Sequence, residues 1–322
     1  MFTYSNGMIQ RQKDFVYGKA YLGSCLDYGA VIVMDVKRVG VLGAGLMGHG
    51  IAQVCAQTGK FDVTVRDIEQ RFVDNGMKMV RDSLQRFVKK GTISENESKE
   101  ILNRIHPTLD LKEAVQSADL VIEAVTENPP LKKQVLAEAD KYAPAQAIIA
   151  SNTSSISITE IGAATKRPEK VCGMHFFNPP QLMKLIEIVR GLKTSDETVE
   201  TIKQVTVKLG KEPVVVKKDT PGFIVNRILV PALNEAAFLV AEGVAEPEDI
   251  DKACVLGLNW PMGPLKLLDY VGIDTTLFIA DVMVNETGDP KFRPSNLLKQ
   301  MVRANLLGRK TGRGFYDWTE KK

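Results

Sequence analysis

The sequence predicts an α/β chain in which a mostly parallel sheet domain is followed by an all-α C-terminal domain. Three observations carry this. From Val36 onward, short apolar runs alternate with segments of helical period, the pattern of βαβ units. A glycine-rich turn lies between the first apolar run and the first helical segment. Beyond Asp219 the strand-like runs stop and only helical periodicity remains.

Residues 37–42 read as the first strand. Met47, Ile51, Val54 and Cys55 then recur at helical spacing, and Gly59 ends that helix. Residues 61–66 alternate as a second strand. Phe72, Val80, Leu84, Phe87 and Val88 mark one face of a long helix closed by Lys89, Lys90 and Gly91. Cations followed by glycine suit the negative helix end and the left-handed cap. Ser94 with Glu97 is a capping box opening another helix. His106, before Pro107, reads as a strand-entry residue. Residues 120–125 are apolar enough for a strand buried on both faces, broken only by Glu123. A helix over 131–142 and a strand over 147–150 follow. Runs 174–177 and 184–189 are joined by Asn178-Pro179-Pro180-Gln181, turn chemistry that predicts an antiparallel hairpin. After 214–216, Asp219-Thr220-Pro221-Gly222 is a break, and 228–242, 248–256, 264–271, 275–284 and 296–307 read as helices. We place an N-terminal extension or tail at 1–33, the sheet domain at 34–219 and the helical domain at 220–322. Residues 1–33 show no sustained period, and removing them is expected to leave activity intact.

Composition narrows the function. The 322 residues hold 42 Lys plus Arg against 39 Asp plus Glu, a net charge of +3. That is too small to suggest a nucleic-acid or membrane partner. No apolar run approaches the ~18 residues of a membrane span. Cys25, Cys55, Cys172 and Cys254 are widely spaced, which suits a reduced cytoplasmic protein. With three histidines (His49, His106, His175) and no ligand spacing, no metal is expected.

Gly43-Ala44-Gly45-Leu46-Met47-Gly48 fits GxGxxG, and it follows a predicted strand and opens a predicted helix. Gly43 allows a tight turn, Gly45 lets a pyrophosphate approach the backbone, and Gly48 permits close helix packing. The helix N-terminus offers free N–H donors and partial positive charge to phosphates. Asp67 ends the second strand 24 residues after Gly43, where a carboxylate would meet the adenosine ribose hydroxyls. A 2′-phosphate would meet a like charge there, so NAD is favoured over NADP. Arg66 points the other way by strand alternation. The sheet is therefore predicted to be Rossmann-type.

His175 stands in the predicted hairpin. Pairing it with Glu187 centres the turn on Gln181, and directly opposed residues share a face with Cβ atoms ~5 Å apart. A carboxylate there would fix the imidazole tautomer and stabilise imidazolium. On spacing alone, a packed core histidine beside aromatics is the stronger reading of His175. His49 lies near the phosphates at most, and neither it nor His106 has an obvious carboxylate partner. Ser151-Asn152-Thr153-Ser154-Ser155 follows a buried strand, where it would bind ligand oxygens or cap the helix before Ile158. Glu127 and Asn128 share that ambiguity, and Glu123 is either a buried paired carboxylate or a sheet-edge group.

Taken in order, the motifs GVLGAGLMGHGIA (40–52), SNTSS (151–155), HFFNP (175–179), DTPGFIVNR (219–227), WPMGPLKLLDYVGID (260–274) and KTGRGFY (310–316) resemble the L-3-hydroxyacyl-CoA dehydrogenase family, nearest its 3-hydroxybutyryl-CoA branch. The resemblance spans about Val36 to Trp318. It implies NAD-dependent, reversible oxidation of a short-chain (3S)-3-hydroxyacyl-CoA to the 3-ketoacyl-CoA. It implies His175 as catalytic base, Glu187 as its orienting carboxylate, and Ser154 and Asn226 as groups beside the reacting carbon. It implies NAD contacts at Gly43, Ala44, Gly45, Leu46, Met47, Gly48, Asp67, Glu127, Lys132, Asn152, Ser154 and Lys310, and acyl-CoA contacts at Ser83, Lys90, Ser154 and Asn226. It also implies a homodimer formed through the helical domain, which is rich in Leu, Ala and Val. A dehydrogenase of a free 3-hydroxy or sugar acid, and a non-enzymatic crystallin-like NAD-binding protein, are the competing readings. CoA dependence and NADH production separate the three.

Overall fold

A computed structural model describes residues 33–319. The expectations for the N-terminal extension and Cys25 lie outside the described residues. Within them, the order is β1 (Arg38–Leu42), α1 (Gly48–Gln57), β2 (Asp62–Arg66), α2 (Gln70–Lys89), α3 (Glu95–Asn103), β3 (Ile105–Thr108), α4 (Leu111–Val115), β4 (Leu120–Glu123), α5 (Pro129–Tyr142), β5 (Ile148–Ser151), α6 (Ile158–Gly162), β6 (Val171–Phe176), β7 (Leu185–Arg190), α7 (Asp196–Lys208) and β8 (Glu212–Val216). There follow α8 (Val225–Ala241), α9 (Pro247–Leu258), α10 (Pro264–Val271), α11 (Ile273–Thr287) and α12 (Asn296–Arg303).

The strands form one eight-stranded sheet in the order β3-β2-β1-β4-β5-β6-β7-β8. All neighbours are parallel except β6 and β7. β1 shows how the sheet is sealed on both faces. Val39 and Val41 pack with Ile51, Val54 and Val80 of α1 and α2, whereas Leu42 packs with α4 and α5 through Leu111, Ala114, Val135 and Ala139. A Cβ on Gly40 would overlap the Ala114 carbonyl oxygen, so α4 lies flush on the sheet. Two predicted helix ends hold: Lys90 caps α2 before left-handed Gly91, and Ser94 and Glu97 form the reciprocal capping box of α3.

Two elements escaped the sequence reading, α4 and α7, and of β3 only the strand entry at His106 was read. β3 carries Pro107 and reads poorly as a strand, yet it sits at the sheet edge, where a missing N–H costs nothing. The fourth strand stops at Glu123 because the Val125 N–H turns back to the Glu123 carboxylate (2.7 Å). The last helix ends at Arg303, short of 307, because Asn305 adopts φ +59.

The C-terminal region is helical. Leu233, Ala237, Leu265, Leu268, Ile273 and Leu298 form its core. Buried Asp269 accepts the N–H groups of Phe315 and Tyr316 and the Trp318 indole N–H, which pins the chain end onto α10. No described helix is long and apolar enough to cross a membrane.

Candidate active site

The glycine turn behaves as its residue types demand. Gly43 has φ +106, and a Cβ there would stand 2.6 Å from the Ala124 carbonyl oxygen. A Cβ on Gly48 would overlap the Gly43 carbonyl, so the third glycine closes the turn on itself. Gly45 is different: its Cβ position has no heavy atom within 4 Å. The structure thus keeps that spot open at the α1 N-terminus, where a phosphate gains most from free N–H groups. Ala44 is buried, Leu46 is exposed, and Met47 occupies the α1 N-cap. Asp67 stands over this turn. Its Oδ2 accepts the Ala44 N–H (2.8 Å) and its Oδ1 the Ile68 N–H (2.7 Å). Arg66 turns away to the Leu109 carbonyl (3.1 Å).

The hairpin places His175 directly opposite Glu187. His175 Nδ1 lies 2.8 Å from Glu187 Oε2, with the two residues 5% and 0% exposed. A carboxylate only accepts, so Nδ1 carries the proton and Nε2 is left as the free base. The other carboxylate oxygen, Oε1, accepts the N–H groups of Ile224 (3.0 Å) and Val225 (2.9 Å). Glu187 therefore caps α8 from across the chain, which explains why that helix starts at Val225 instead of 228. Phe177 and Phe223 flank the imidazole at ring-centroid distances of 4.5 and 5.6 Å.

The serine-rich segment is organised from below by buried charges. Glu123 is the buried paired carboxylate of the two alternatives. It accepts from Lys132 Nζ (2.8 Å) and from Ser151 Oγ (2.6 Å). Lys132 is 1% exposed, and Glu127 Oε2 (3.2 Å) and the Val125 carbonyl (3.2 Å) complete its acceptors. Glu127 in turn accepts the Ser154 N–H (3.0 Å) and the Thr153 hydroxyl. Asn128 caps α5 instead. Asn152 Oδ1 accepts the Phe176 N–H (2.9 Å), tying this segment to the strand that carries His175. Asn226, in the first turn of α8, reaches the Ser154 carbonyl at 3.4 Å.

The chain thus gathers Glu127, Lys132, Asn152, Ser154, His175, Glu187 and Asn226 into one hydrogen-bonded neighbourhood. It does not bring in the rest. Lys310 is ion-paired with Asp274 at the start of α11, and none of its polar contacts among the described residues reaches the sheet. Ser83 is buried at 4% on α2, and Lys90 is exposed at that helix's C-cap. One expectation is corrected. His106 does have a carboxylate partner, Asp62 Oδ1 at 2.7 Å, because strand β3 pairs with β2 and brings the two together on the exposed edge. His49 bonds the Gly45 carbonyl through Nδ1 (2.9 Å). Its pKa is lowered, chiefly by burial, with Arg86 adding to the effect. Sequence reasoning passed over Glu187's second pair of partners, whose only trace was the break at Pro221-Gly222.

A glycine-turn Rossmann sheet with an imidazole–carboxylate pair beside it defines a nicotinamide-dependent oxidoreductase. Residues 38–220 match the model of the 3-hydroxyacyl-CoA dehydrogenase NAD binding domain, and residues 222–318 that of the 3-hydroxyacyl-CoA dehydrogenase C-terminal domain. The chain belongs to the 3-hydroxyacyl-CoA dehydrogenase family. It is 48% identical over 288 residues to a probable 3-hydroxybutyryl-CoA dehydrogenase of Bacillus subtilis, covering 89% of this chain and 99% of that protein. It is 45% identical to the mitochondrial hydroxyacyl-coenzyme A dehydrogenase of Sus scrofa, covering 88% and 91%. The crystal structure of the (S)-3-hydroxybutyryl-CoA dehydrogenase PaaH1 from Ralstonia eutropha superposes with a TM-score of 0.85 at 45% identity, covering 89% of this chain and all of that one.

Proposed function

We propose that this enzyme reversibly oxidises a short-chain (3S)-3-hydroxyacyl-CoA, 3-hydroxybutyryl-CoA first among them, to the 3-ketoacyl-CoA, with His175 as general base. The observation that carries this reading is the buried 2.8 Å contact between His175 Nδ1 and Glu187 Oε2, which leaves Nε2 as the proton acceptor. As the 3-hydroxyl loses its proton to Nε2, positive charge grows on a ring whose far side already faces a carboxylate. In the reverse direction the imidazolium returns that proton. General base catalysis of this kind contributes about 10²–10⁴ in rate.

The residues present fit NAD. The open Gly45 position, the α1 N-terminus and the Asp67 carboxylate supply a phosphate seat and acceptors for ribose hydroxyls. NAD supplies the hydride acceptor when bound. Glu127 and Asn152 lie where the strands β4 and β5 end, the side of an open sheet on which ligands sit. Lys132 acts through Glu127, since protein acceptors surround its ammonium. Ser154 and Asn226 orient the substrate oxygens. Lys90 meets the CoA moiety at the α2 end; buried Ser83 supports that helix and contributes less to CoA than the sequence suggests. Exposed Ile228, Leu256, Leu258, Tyr270 and Phe278 in the helical region support a homodimer, and cytoplasmic residence accords with Cys55, Cys172 and Cys254 being free thiols among the described residues.

The test is NADH formation from (3S)-3-hydroxyacyl-CoA thioesters of increasing chain length, against free 3-hydroxybutyrate and against NADP. We expect the highest kcat/KM with the C4 thioester and NAD, and none with the free acid. Turnover of the free acid, or no NADH from any thioester, refutes the reading. Sedimentation showing a monomer refutes the dimer.

A further inference from the structure

Four non-glycine residues among those described have positive φ: Lys60, Phe223, Asn259 and Asn305. Three are exposed. Phe223 stands apart, being aromatic and 2% exposed, with φ +51. Bulky side chains rarely adopt that conformation, and it follows Gly222 at φ +75. Two left-handed residues in succession swing the chain so that the next two N–H groups, of Ile224 and Val225, converge on Glu187 Oε1. The same residue turns its ring onto His175, at a centroid distance of 5.6 Å and an interplanar angle of 64°.

The turn is anchored upstream as well. Asp219 Oδ2 accepts the Ser157 hydroxyl (2.6 Å) and the Thr159 N–H (2.8 Å), and Phe223 N–H donates to the Thr220 carbonyl (3.0 Å). Phe223 also packs with Ile149, Ile156 and Val189. Filling that core needs a side chain, but it does not need a left-handed backbone. The unfavourable conformation falls where two donors must meet one carboxylate oxygen, and unfavourable backbone conformations persist where the surroundings over-determine them.

We propose that Phe223 is a positioning residue for the His175–Glu187 pair, its left-handed backbone setting the donors that hold Glu187 and its ring limiting the tilt of the imidazole. This rests on the proposed role of His175 as base. If the pair is held this way, loosening Phe223 lets Glu187 Oε2 drift from Nδ1.

The experiment compares the wild type with F223L and with G222A. The second variant puts a Cβ at 3.0 Å from Met283 Sδ while leaving every side chain around the imidazole intact. The first readout is the far-downfield proton resonance of His175 Nδ1–H, which needs no turnover. The chain has three histidines, so the resonance is assigned by its loss in H175Q. The second readout is kcat with KM for NAD. We expect the resonance to move upfield or vanish in F223L and G222A. We expect kcat to fall on the order of 10- to 100-fold, as small misplacements of a reacting group do, with KM for NAD within about twofold. In an E187Q background, F223L should cost little more. An unmoved resonance in both folded variants overturns the proposal, and so does a further loss on adding F223L to E187Q as large as F223L causes in the wild type. A displaced resonance in a protein that oxidises no hydroxyacyl-CoA supports the positioning role and refutes the proposed activity instead. Should F223L fail to fold, G222A decides.

Discussion

Replacing Glu187 by Gln keeps the shape and removes one acceptor. Oε1 faces two fixed backbone donors, Ile224 and Val225, at 3.0 and 2.9 Å, while Oε2 faces His175 Nδ1 at 2.8 Å. The amide oxygen of Gln must take the Oε1 place, since an NH2 group there would oppose two N–H groups with no acceptor, at about 1–3 kcal/mol for each buried group left unpaired. The NH2 then points at Nδ1, which becomes an acceptor. The imidazole proton moves to Nε2, the nitrogen that should receive the substrate proton. Glu187→Gln therefore inverts the tautomer and also removes the charge that balances imidazolium. Loss of a general base costs about 10²–10⁴ in rate, or about 3–5 kcal/mol in the barrier. Initial-rate assays of NADH formation would measure it, with calorimetric NAD titration as the control. We expect kcat to fall in that range with NAD affinity unchanged. A folded E187Q enzyme with kcat within about threefold of wild type would refute the reasoning.

Three further outcomes follow from the same contacts. Asp67→Ala removes an anionic acceptor over the glycine turn, and charge-assisted hydrogen bonds are worth about 1.5–3 kcal/mol; NAD affinity by calorimetry should drop about 10- to 100-fold and the bias against NADP should shrink, and unchanged affinity would reject the role. Lys132→Met strands buried Glu123 without its cation, a change that costs about 3–5 kcal/mol; thermal unfolding should show Tm lower by roughly 5–15 °C, and a shift under about 2 °C would contradict the buried network. Burial pushes the Cys55 and Cys172 thiols up to about 12, so alkylation at neutral pH of native C25S protein should label Cys254 and spare both, as mass spectrometry would show; labelling of Cys55 or Cys172 before unfolding would refute their packing.

Much of this was legible in the linear chain because it depends on local rules. Two-residue alternation and helical period exposed the sheet-then-helix order. The cofactor turn is six consecutive residues whose glycines have separate steric tasks. The hairpin is nearly as local: a constant index sum across Asn178-Pro179-Pro180-Gln181 was enough to oppose His175 and Glu187, as the register shows. Of edge strand β3 only the entry at His106 was legible, because Pro107 argues against a strand until its place at the sheet edge is known.

What only tertiary structure decided is which alternatives the polar groups take. The sequence by itself determined a glycine turn, an acid at a strand end and an imidazole opposite a carboxylate, because neighbours in sequence or in a hairpin meet whatever the rest of the chain does. It left Glu123 undecided between pairing and exposure, and it had no means of seeing that Glu187 also caps α8, 37 and 38 residues downstream. Those choices follow from burial. A carboxylate shut off from water must find donors, and the donors arrive from whichever segment the packed fold brings against it.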